Sequence, residues 1–271
     1  MLKERVITAV VLLLAFAFAL FMASVSVFAV VLFVIVGAAA WEWSRLCGLT
    51  VLRSQIFYAA LVALLMLFAL YLPGDGKLIR WLLLAGFLLW LAAVAAMYLL
   101  PKLSPIERPS MPLLLFGVPV MVVTGVSLQY LRSYATDASP WLLLYAFAII
   151  WFMDTGAYFS GRKFGKRKLA PLISPGKTWE GVYGGLLAAS LLMVTVWLFS
   201  ERFDGMAARM FVATLLAAAF SVIGDLFESR IKRAAGMKDS SQLLPGHGGV
   251  LDRLDGVLAA MPMFAFVWAW M

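Results

Sequence analysis

Acidic side chains with regular spacing stand out between residues 221 and 256 of an otherwise apolar chain. In a helix, Ser221, Asp225, Glu228 and Lys232 fall on one stripe roughly 60° wide, which runs from apolar into basic sequence. A carboxylate at membrane depth is costly unless it faces protein, water or a cation. Asp225 is therefore a candidate functional residue.

Three more carboxylates extend this chemistry. Asp252 and Asp255 are spaced i, i+3 where helix resumes, so they share one face near the positive end of a helix dipole. Asp154 is a further acid near membrane depth, either functional or a polar contact between helices. Carboxylate oxygens suit a divalent cation such as Mg²⁺.

A second candidate site is the loop 161–180, which carries six basic residues. Its sequence SPGKT, residues 174–178, leads into an apolar helix. A glycine turn at a helix N-terminus, with Lys177 beside it, is a suitable cradle for phosphate. Pro171 stands where a Walker A loop needs glycine, which excludes that motif. Membrane topology alone would explain some of the basic residues from 162 to 168.

His247, the only histidine, and Cys47, the only cysteine, restrict the chemistry further. A zinc site needs a cluster of such residues, and none is present in the sequence. No activated serine or cysteine indicates covalent catalysis. Cys47 is predicted to be structural, and no disulfide can form within the chain. His247 is a candidate for positioning or protonating a phosphate oxygen.

Two motifs resemble those of the phosphatidate cytidylyltransferases, also called CDP-diacylglycerol synthases. The order S-x-x-K-R, K-D, P-x-H-G-G-x-x-D-R-x-D is the C-terminal signature of that family, and it is formed here by Ser229, Lys232, Arg233, Lys238, Asp239, Pro245, His247, Gly248, Gly249, Asp252, Arg253 and Asp255. Upstream, Ser174, Lys177, Thr178, Glu180 and Gly181 match the element S-P-x-K-T-x-E-G. Many members carry a lysine where this chain has Gly176.

The resemblance implies that CTP and phosphatidate react to CDP-diacylglycerol and pyrophosphate with Mg²⁺. Asp225 and Asp252 are then the expected metal ligands, with Asp255 and Asp154 as further candidates. Ser174, Lys177 and Thr178 would bind the triphosphate. The lipid phosphate and the leaving pyrophosphate would be shared by Arg230, Lys232, Arg233, Lys238 and Arg253, while Asp239, Gly248 and Gly249 complete the predicted substrate site. A second, monovalent cation such as K⁺ is a further cofactor to be tested.

The composition indicates that these residues belong to an integral membrane protein. The chain has 271 residues, of which 64% are hydrophobic and 13% charged, against about 25% charged in soluble domains. Crossing a bilayer takes about 20 apolar residues. Nine spans are expected near 6–22, 25–44, 56–72, 79–100, 112–131, 140–160, 181–200, 207–230 and 254–270, or eight if the first two are one helix. The fold class is thus an all-α polytopic membrane bundle.

Charge distribution predicts the orientation and the partners. With nine spans and a cytoplasmic N-terminus, 17 of the 22 Lys and Arg residues lie on the cytoplasmic side. The loops 161–180 and 231–253 are both on that side.

Residues 1–140 are predicted to be a scaffold and residues 141–271 the catalytic region. The net charge of +8 reports topology and affinity for anionic headgroups rather than nucleic acid. The bacterial inner membrane is the expected location, and a homodimer is left open.

Two alternative functions remain at this point. A CTP-dependent polyprenol or dolichol kinase would share the chemistry and differ in its lipid acceptor. An ion-coupled transporter or lipid flippase would also place acids in its helices. Such a transporter is expected to show pseudo-symmetric halves, whereas this sequence has no evident internal repeat and concentrates its acids at one end of the C-terminal helices.

Cysteine labelling tests the topology. Lys163→Cys and Lys238→Cys should react with a membrane-impermeant thiol reagent only from the cytoplasmic side, because both lie in loops of the basic side. Arg202→Cys, on the opposite side in the nine-span prediction, is the matched control. Labelling of either lysine position from the far side would refute the predicted orientation.

Overall fold

A computed structural model describes residues 2–71, 76–99, 104–134 and 139–271, with side chains from Val6 onward. The described residues form nine α-helices in chain order. They are α1 Leu2–Phe21, α2 Val25–Leu46, α3 Leu52–Tyr71, α4 Lys77–Leu99, α5 Met111–Ser133, α6 Ser139–Phe164, α7 Trp179–Phe199, α8 Ala207–Ala234 and α9 Leu251–Trp270. A short 3₁₀ turn, Glu201–Phe203, joins α7 to α8.

Each predicted span corresponds to one of these helices, and the first two are separate. Ser24 caps α2, since its hydroxyl accepts a hydrogen bond from Val27 N at 3.2 Å. Within the described residues, seven helices are long and apolar enough to cross a membrane, namely α2 to α8. The apolar part of α1, Val6–Phe21, is shorter. The first five residues of α9 include two aspartates and an arginine. An all-α polytopic membrane fold is thus confirmed.

The loop between α6 and α7 contains a feature that the sequence analysis missed. Strands β1 Lys168–Ala170 and β2 Ser174–Thr178 form an antiparallel hairpin, with Lys168 opposite Thr178 and Ala170 opposite Ser174. Ile173 N donates to Ala170 O at 3.1 Å and closes the turn. The predicted glycine turn is therefore a strand, and only its end is the start of a helix. Paired backbone makes this segment a defined surface rather than an open loop.

Several predicted cytoplasmic connections meet at one end of the bundle. Ser110 N donates to Cys47 O at 2.8 Å, and Ile106 N donates to Ala234 O at 2.9 Å. Cys47 is fully buried, and burial raises the pKa of its thiol, in agreement with a structural role. At the other end, the Arg132 guanidinium donates to Ala23 O at 2.9 Å. The loops after α2, α4 and α8 therefore share one end, as the charge pattern predicts.

Small residues let the site helices approach closely. A Cβ added at Gly185 in α7 would lie 2.6 Å from Met153 O in α6, and one at Gly224 in α8 would lie 2.4 Å from Asp255 O in α9. Gly181 similarly faces Ala157 O. Gly181 and Gly185 therefore form a packing seam against α6, because side chains there would hold the helices apart.

A proline in α9 explains another set of contacts. Pro262 has no N–H, so the Leu258 carbonyl one turn earlier loses its helical donor. Trp90 Nε1 of α4 donates to this carbonyl at 3.0 Å. Thr124 Oγ1 of α5 shares its one proton between this carbonyl, at 3.0 Å, and Val120 O of its own helix, at 2.8 Å. Both side chains are buried. This carbonyl therefore connects three helices in the core.

Substitutions at Thr124 and Trp90 test whether the Leu258 carbonyl depends on both side chains. Thr124→Val should destabilise the protein by about 1 kcal/mol, since Trp90 still satisfies the carbonyl. Adding Trp90→Phe should cost more than the sum of the single changes, because a buried carbonyl then has no donor. Ser127→Ala is the control, since this hydroxyl bonds Val123 O in its own helix. Thermal unfolding in detergent is measured for Thr124→Val, Trp90→Phe, the double variant and Ser127→Ala. Strict additivity of the Thr124 and Trp90 changes would contradict a shared role at the carbonyl.

Candidate active site

A pocket of about 510 Å³ lies between α6, the hairpin, α7 and α8. It contains five of the predicted site residues, which come from three elements: Asp154, Ser174, Lys177, Thr178 and Asp225. Tyr158 and Arg162 of α6 and Gly176 of β2 also line it. The structure thus brings the predicted phosphate loop and two of the predicted metal ligands into one cavity.

The hairpin is fixed to the start of α7 by two side chains. Thr178 is the N-cap, and its hydroxyl accepts from Gly181 N at 3.1 Å. The Glu180 carboxylate accepts from Lys166 N, Arg167 N and Arg167 Nε at 3.0, 3.1 and 3.1 Å. These bonds hold both ends of the hairpin against one helical turn. Residues 174–178 consequently face the pocket in a fixed position.

Lys177 and Asp225 form the central ion pair of the pocket. Lys177 Nζ lies 2.5 Å from Asp225 Oδ2, and Ser229 Oγ donates to Asp225 Oδ1 at 3.2 Å. The two paired side chains are 26% and 30% exposed, so both can reach a ligand in the cavity. The pair ties the hairpin to α8. Lys232 shares a helical stripe with Asp225, but the ion-pair partner of Asp225 comes from the loop 161–180.

A second ion cluster lies where α8 ends and α9 begins. Lys232 Nζ lies 2.7 Å from Asp252 Oδ1 and 2.9 Å from Glu228 Oε1. These three side chains are at most 10% exposed. Asp252 Oδ2 accepts from Ser240 N and Gly249 N at 2.9 and 2.8 Å. It also lies 3.0 Å from Ser240 Oγ, whose one proton is shared with Glu42. Both oxygens of Asp252 are therefore occupied by donors of the protein.

The carboxylates can be compared with what Mg²⁺ requires. Asp225 is close enough to Asp154 and Asp255 for their charges to interact, and no ion pair of the described residues includes Asp154 or Asp255. Across the described ranges, no three His, Cys, Asp or Glu side chains form a ready metal site. Mg²⁺ commonly takes one or two carboxylates and completes its shell with water and substrate phosphates. Asp225 with Asp154 or Asp255 fits this pattern.

The role as a metal ligand predicted for Asp252 alongside Asp225 stays a prediction. The two aspartates are engaged in separate ion pairs, with Lys232 and Lys177. Spacing along the chain could not show that the loop between α8 and α9 folds back and surrounds Asp252 with backbone donors. Its geometry is that of a residue that orients Lys232 and organises the loop.

The remaining predicted residues surround this loop. Arg253 donates from Nε and a terminal nitrogen to His247 O at 3.1 and 2.8 Å, and His247 Nδ1 lies 3.5 Å from Pro245 O. Gly248 has a φ of +81°, which favours glycine. Three further predicted residues are exposed, namely Arg233, Lys238 and Asp239, whereas Arg230 is buried. Asp255 Oδ1 accepts a hydrogen bond from Gly256 N at 2.7 Å. Arg253 thus braces the turn through His247, and the exposed lysine and arginines remain available to anions.

Two residues near the site were missed by sequence reasoning. Arg162 was not among the predicted site residues, yet it lines the pocket and its guanidinium donates to the Tyr158 hydroxyl at 3.2 Å. Glu42 belongs to the predicted scaffold and was not among the candidate residues. It is fully buried and accepts hydrogen bonds from residues 240, 241, 250 and 251. The one available signal was its type, since an unpaired buried carboxylate is rare.

The sequence is similar to that of known proteins over almost its whole length. The sequence profile of the Cytidylyltransferase family matches residues 3–271. The chain belongs to the Cytidylyltransferase family. It is 39% identical to the phosphatidate cytidylyltransferase of Haemophilus influenzae over 282 residues, which cover 98% of both chains. The phosphatidate cytidylyltransferase of Pseudomonas aeruginosa is also 39% identical, over 99% of this chain and 98% of that one.

A matched pair of glycine variants tests the loop geometry. A Cβ at Gly249 would lie 2.1 Å from Ser240 Oγ and 2.6 Å from both Glu42 oxygens, whereas one at Gly176 meets nothing within 4 Å. Gly249→Ala should therefore lower stability by about 1–3 kcal/mol, as overpacking does. Gly176→Ala should stay within about 0.5 kcal/mol of wild type. Thermal unfolding in detergent measures both, and equal stabilities would contradict the described packing.

Proposed function

We propose that this chain condenses CTP with phosphatidate to give CDP-diacylglycerol and pyrophosphate. The observation that carries the proposal is the near full-length similarity to proteins named phosphatidate cytidylyltransferase. The pocket supports it independently, since it combines carboxylates with a lysine and serine of a hairpin at a helix N-terminus. That combination suits transfer between two anionic substrates.

The reaction depends more on neutralising the negative charges of the two substrates than on a general base. A phosphate monoester has a second pKa near 6, so at pH 7 phosphatidate is largely a dianion and a competent nucleophile. One of its oxygens attacks the α-phosphorus of CTP, a new phosphorus–oxygen bond forms, and the bond to the β-phosphate breaks. Pyrophosphate leaves with the electron pair. Repulsion among the anions is the main barrier that protein cations must lower.

The pocket residues have the chemistry to bind the triphosphate. Lys177 and Ser174 lie on one strand, and Thr178 caps the helix whose positive end faces the same cavity. When CTP binds, Lys177 exchanges part of its contact with Asp225 for phosphate oxygens. Arg162 adds a guanidinium that the Tyr158 hydroxyl orients and that can hold a phosphate through two N–H groups.

The carboxylates suit a magnesium ion on the same phosphates. Asp225, with Asp154 or Asp255, is the set that would hold it, and the ion would neutralise charge developing on the β- and γ-phosphates. Asp252 would act through Lys232, which it holds at 2.7 Å. Lys232, Arg233, Lys238, Arg230 and Arg253 remain the proposed cations for the lipid phosphate and pyrophosphate. A role for K⁺ is a prediction that rests on the sequence alone.

The lipid has a route to the pocket from the side. Phe152 and Phe159 of α6 are exposed apolar side chains on either side of Asp154 along the chain, and Tyr158 lines the cavity. Acyl chains can remain in the bilayer while the phosphate reaches the pocket. The proposal places the protein in a bacterial inner membrane with the pocket facing the cytoplasm, supported by the distribution of basic residues. A homodimer stays a prediction.

Position-specific labelling of CTP tests the proposed activity. Purified protein in detergent receives Mg²⁺, phosphatidate or a polyprenol, and CTP labelled on either its α- or its γ-phosphate. Cytidylyl transfer moves the α label into phosphatidate and leaves the γ label in pyrophosphate. A polyprenol kinase would transfer the γ label to the polyprenol and would refute the proposal.

Neutralising two aspartates separates metal binding from positioning. Asp225→Asn should reduce kcat and raise the Mg²⁺ concentration for half-maximal activity by about tenfold or more, because a charged ligand is lost. Asp252→Asn should reduce kcat and thermal stability, since it weakens the buried partner of Lys232, but should leave the Mg²⁺ requirement near that of wild type. Titration of activity with Mg²⁺ measures this contrast, and an unchanged requirement in Asp225→Asn would contradict the metal assignment.

A further inference from the structure

Glu42 lies at the cytoplasmic end of α2, far in sequence from every residue of the proposed reaction. Its side chain is fully buried, and four donors surround the carboxylate. Oε1 accepts from Ser241 Oγ at 2.5 Å and Val250 N at 3.0 Å. Oε2 accepts from Ser240 Oγ at 2.8 Å and Leu251 N at 2.6 Å. A buried charge of this kind persists only where donors satisfy it, as they do here.

The first consequence is that α2 caps α9. The N-cap residue of α9 is Val250, whose side chain makes no capping hydrogen bond. Glu42 supplies the missing acceptor to the N–H groups of Val250 and Leu251, and its negative charge lies at the positive end of the α9 dipole. The start of α9, which carries Asp252, therefore depends on a residue of the N-terminal scaffold.

The second consequence concerns Ser240. Its hydroxyl lies within hydrogen-bond distance of two carboxylates, 2.8 Å from Glu42 Oε2 and 3.0 Å from Asp252 Oδ2. Asp252 in turn holds Lys232 at 2.7 Å. Ser241 also donates to Glu42 but makes no hydrogen bond to Asp252 among the described contacts. The one hydroxyl proton of Ser240 is thus shared by the two carboxylates. Ser241 donates to Glu42 only and accepts from Leu243 N at 3.1 Å.

The geometry points to Glu42 as a positioning residue for the reaction, acting through Ser240 on Asp252 and hence on Lys232. This inference rests on the proposed function, because Lys232 is assigned there to substrate phosphate. Glu42 touches no substrate in this assignment. It fixes the hydroxyl that sets the orientation of Asp252, and a shift of about 1 Å in a catalytic group can cost about 100-fold in rate. The N-terminal region then contributes to catalysis through a hydrogen-bonded chain.

The two adjacent serines give a matched test. Ser240→Ala and Ser241→Ala each remove one hydroxyl from Glu42 and should lower the thermal midpoint to a similar degree. Only Ser240→Ala should lower kcat, by about tenfold, with the KM for CTP changed less than about twofold, because the nucleotide pocket at Lys177 is separate. Ser241→Ala should keep kcat within about twofold of wild type. Equal effects on kcat in the two variants, or a wild-type kcat in Ser240→Ala, would overturn the inference.

A second variant covers the case in which Ser240→Ala does not fold. Ser240→Cys keeps a similar volume but donates a much weaker hydrogen bond, so it should show the same loss of kcat with a smaller loss of stability. A wild-type kcat in Ser240→Cys would count against the chain from Glu42 to Lys232.

A readout without turnover separates this inference from the proposed function. In double-mutant cycles followed by thermal unfolding, Ser240→Ala and Asp252→Asn should be non-additive, whereas Ser241→Ala and Asp252→Asn should be additive. Additivity in both cycles would refute the coupling whatever the enzyme does. If wild type formed no CDP-diacylglycerol while the first cycle remained non-additive, the proposed function would fail and the coupling would stand.

Discussion

Burial of negative charge at the end of a helical bundle is the constraint on which the rest of the structure depends. Carboxylates of α2, α6, α8 and α9 lie near the end of the bundle that carries the basic loops, and Lys177 and Lys232 pair with three of them. Each charge must find donors or cations, since an unpaired buried carboxylate is costly. The loops fold back onto the bundle because they carry these donors.

The two lysines solve this problem in different ways. Lys232 is held between Glu228 and Asp252 at low exposure, which makes that cluster rigid and well defined. Lys177 and Asp225 are about a quarter to a third exposed in a cavity, so solvent and ligands can compete for their contact. A permanent ion pair beside an exchangeable one suits an enzyme that must bind and release a polyanion. Lys177 of the hairpin is the exchangeable cation. Lys232 of α8, held by Glu228 and by Asp252 of α9, is the fixed one.

The lipid environment explains why a small number of polar residues determines how the helices pack. Apolar helix faces give little direction to packing in lipid, so small-residue contacts and buried hydrogen bonds decide which helices meet. The glycines between α6 and α7 and the Leu258 carbonyl shared by α4, α5 and α9 are examples. The glycine contacts set the position of α6, which carries Asp154, and the carbonyl contacts set that of α9, which carries Asp252. Scaffold and chemistry are therefore linked by the same contacts.

The sequence by itself determined the nine helices and the end of the bundle that carries the chemistry, because long apolar runs and basic loops are local signals. It also identified Lys177, Thr178, Asp154 and Asp225 as residues of one site. Only the tertiary structure decided how the charges pair, since partners such as Lys177 and Asp225 are 48 positions apart. Glu42 became visible only there, because a hydrogen bond across 209 positions leaves no periodic pattern in the sequence.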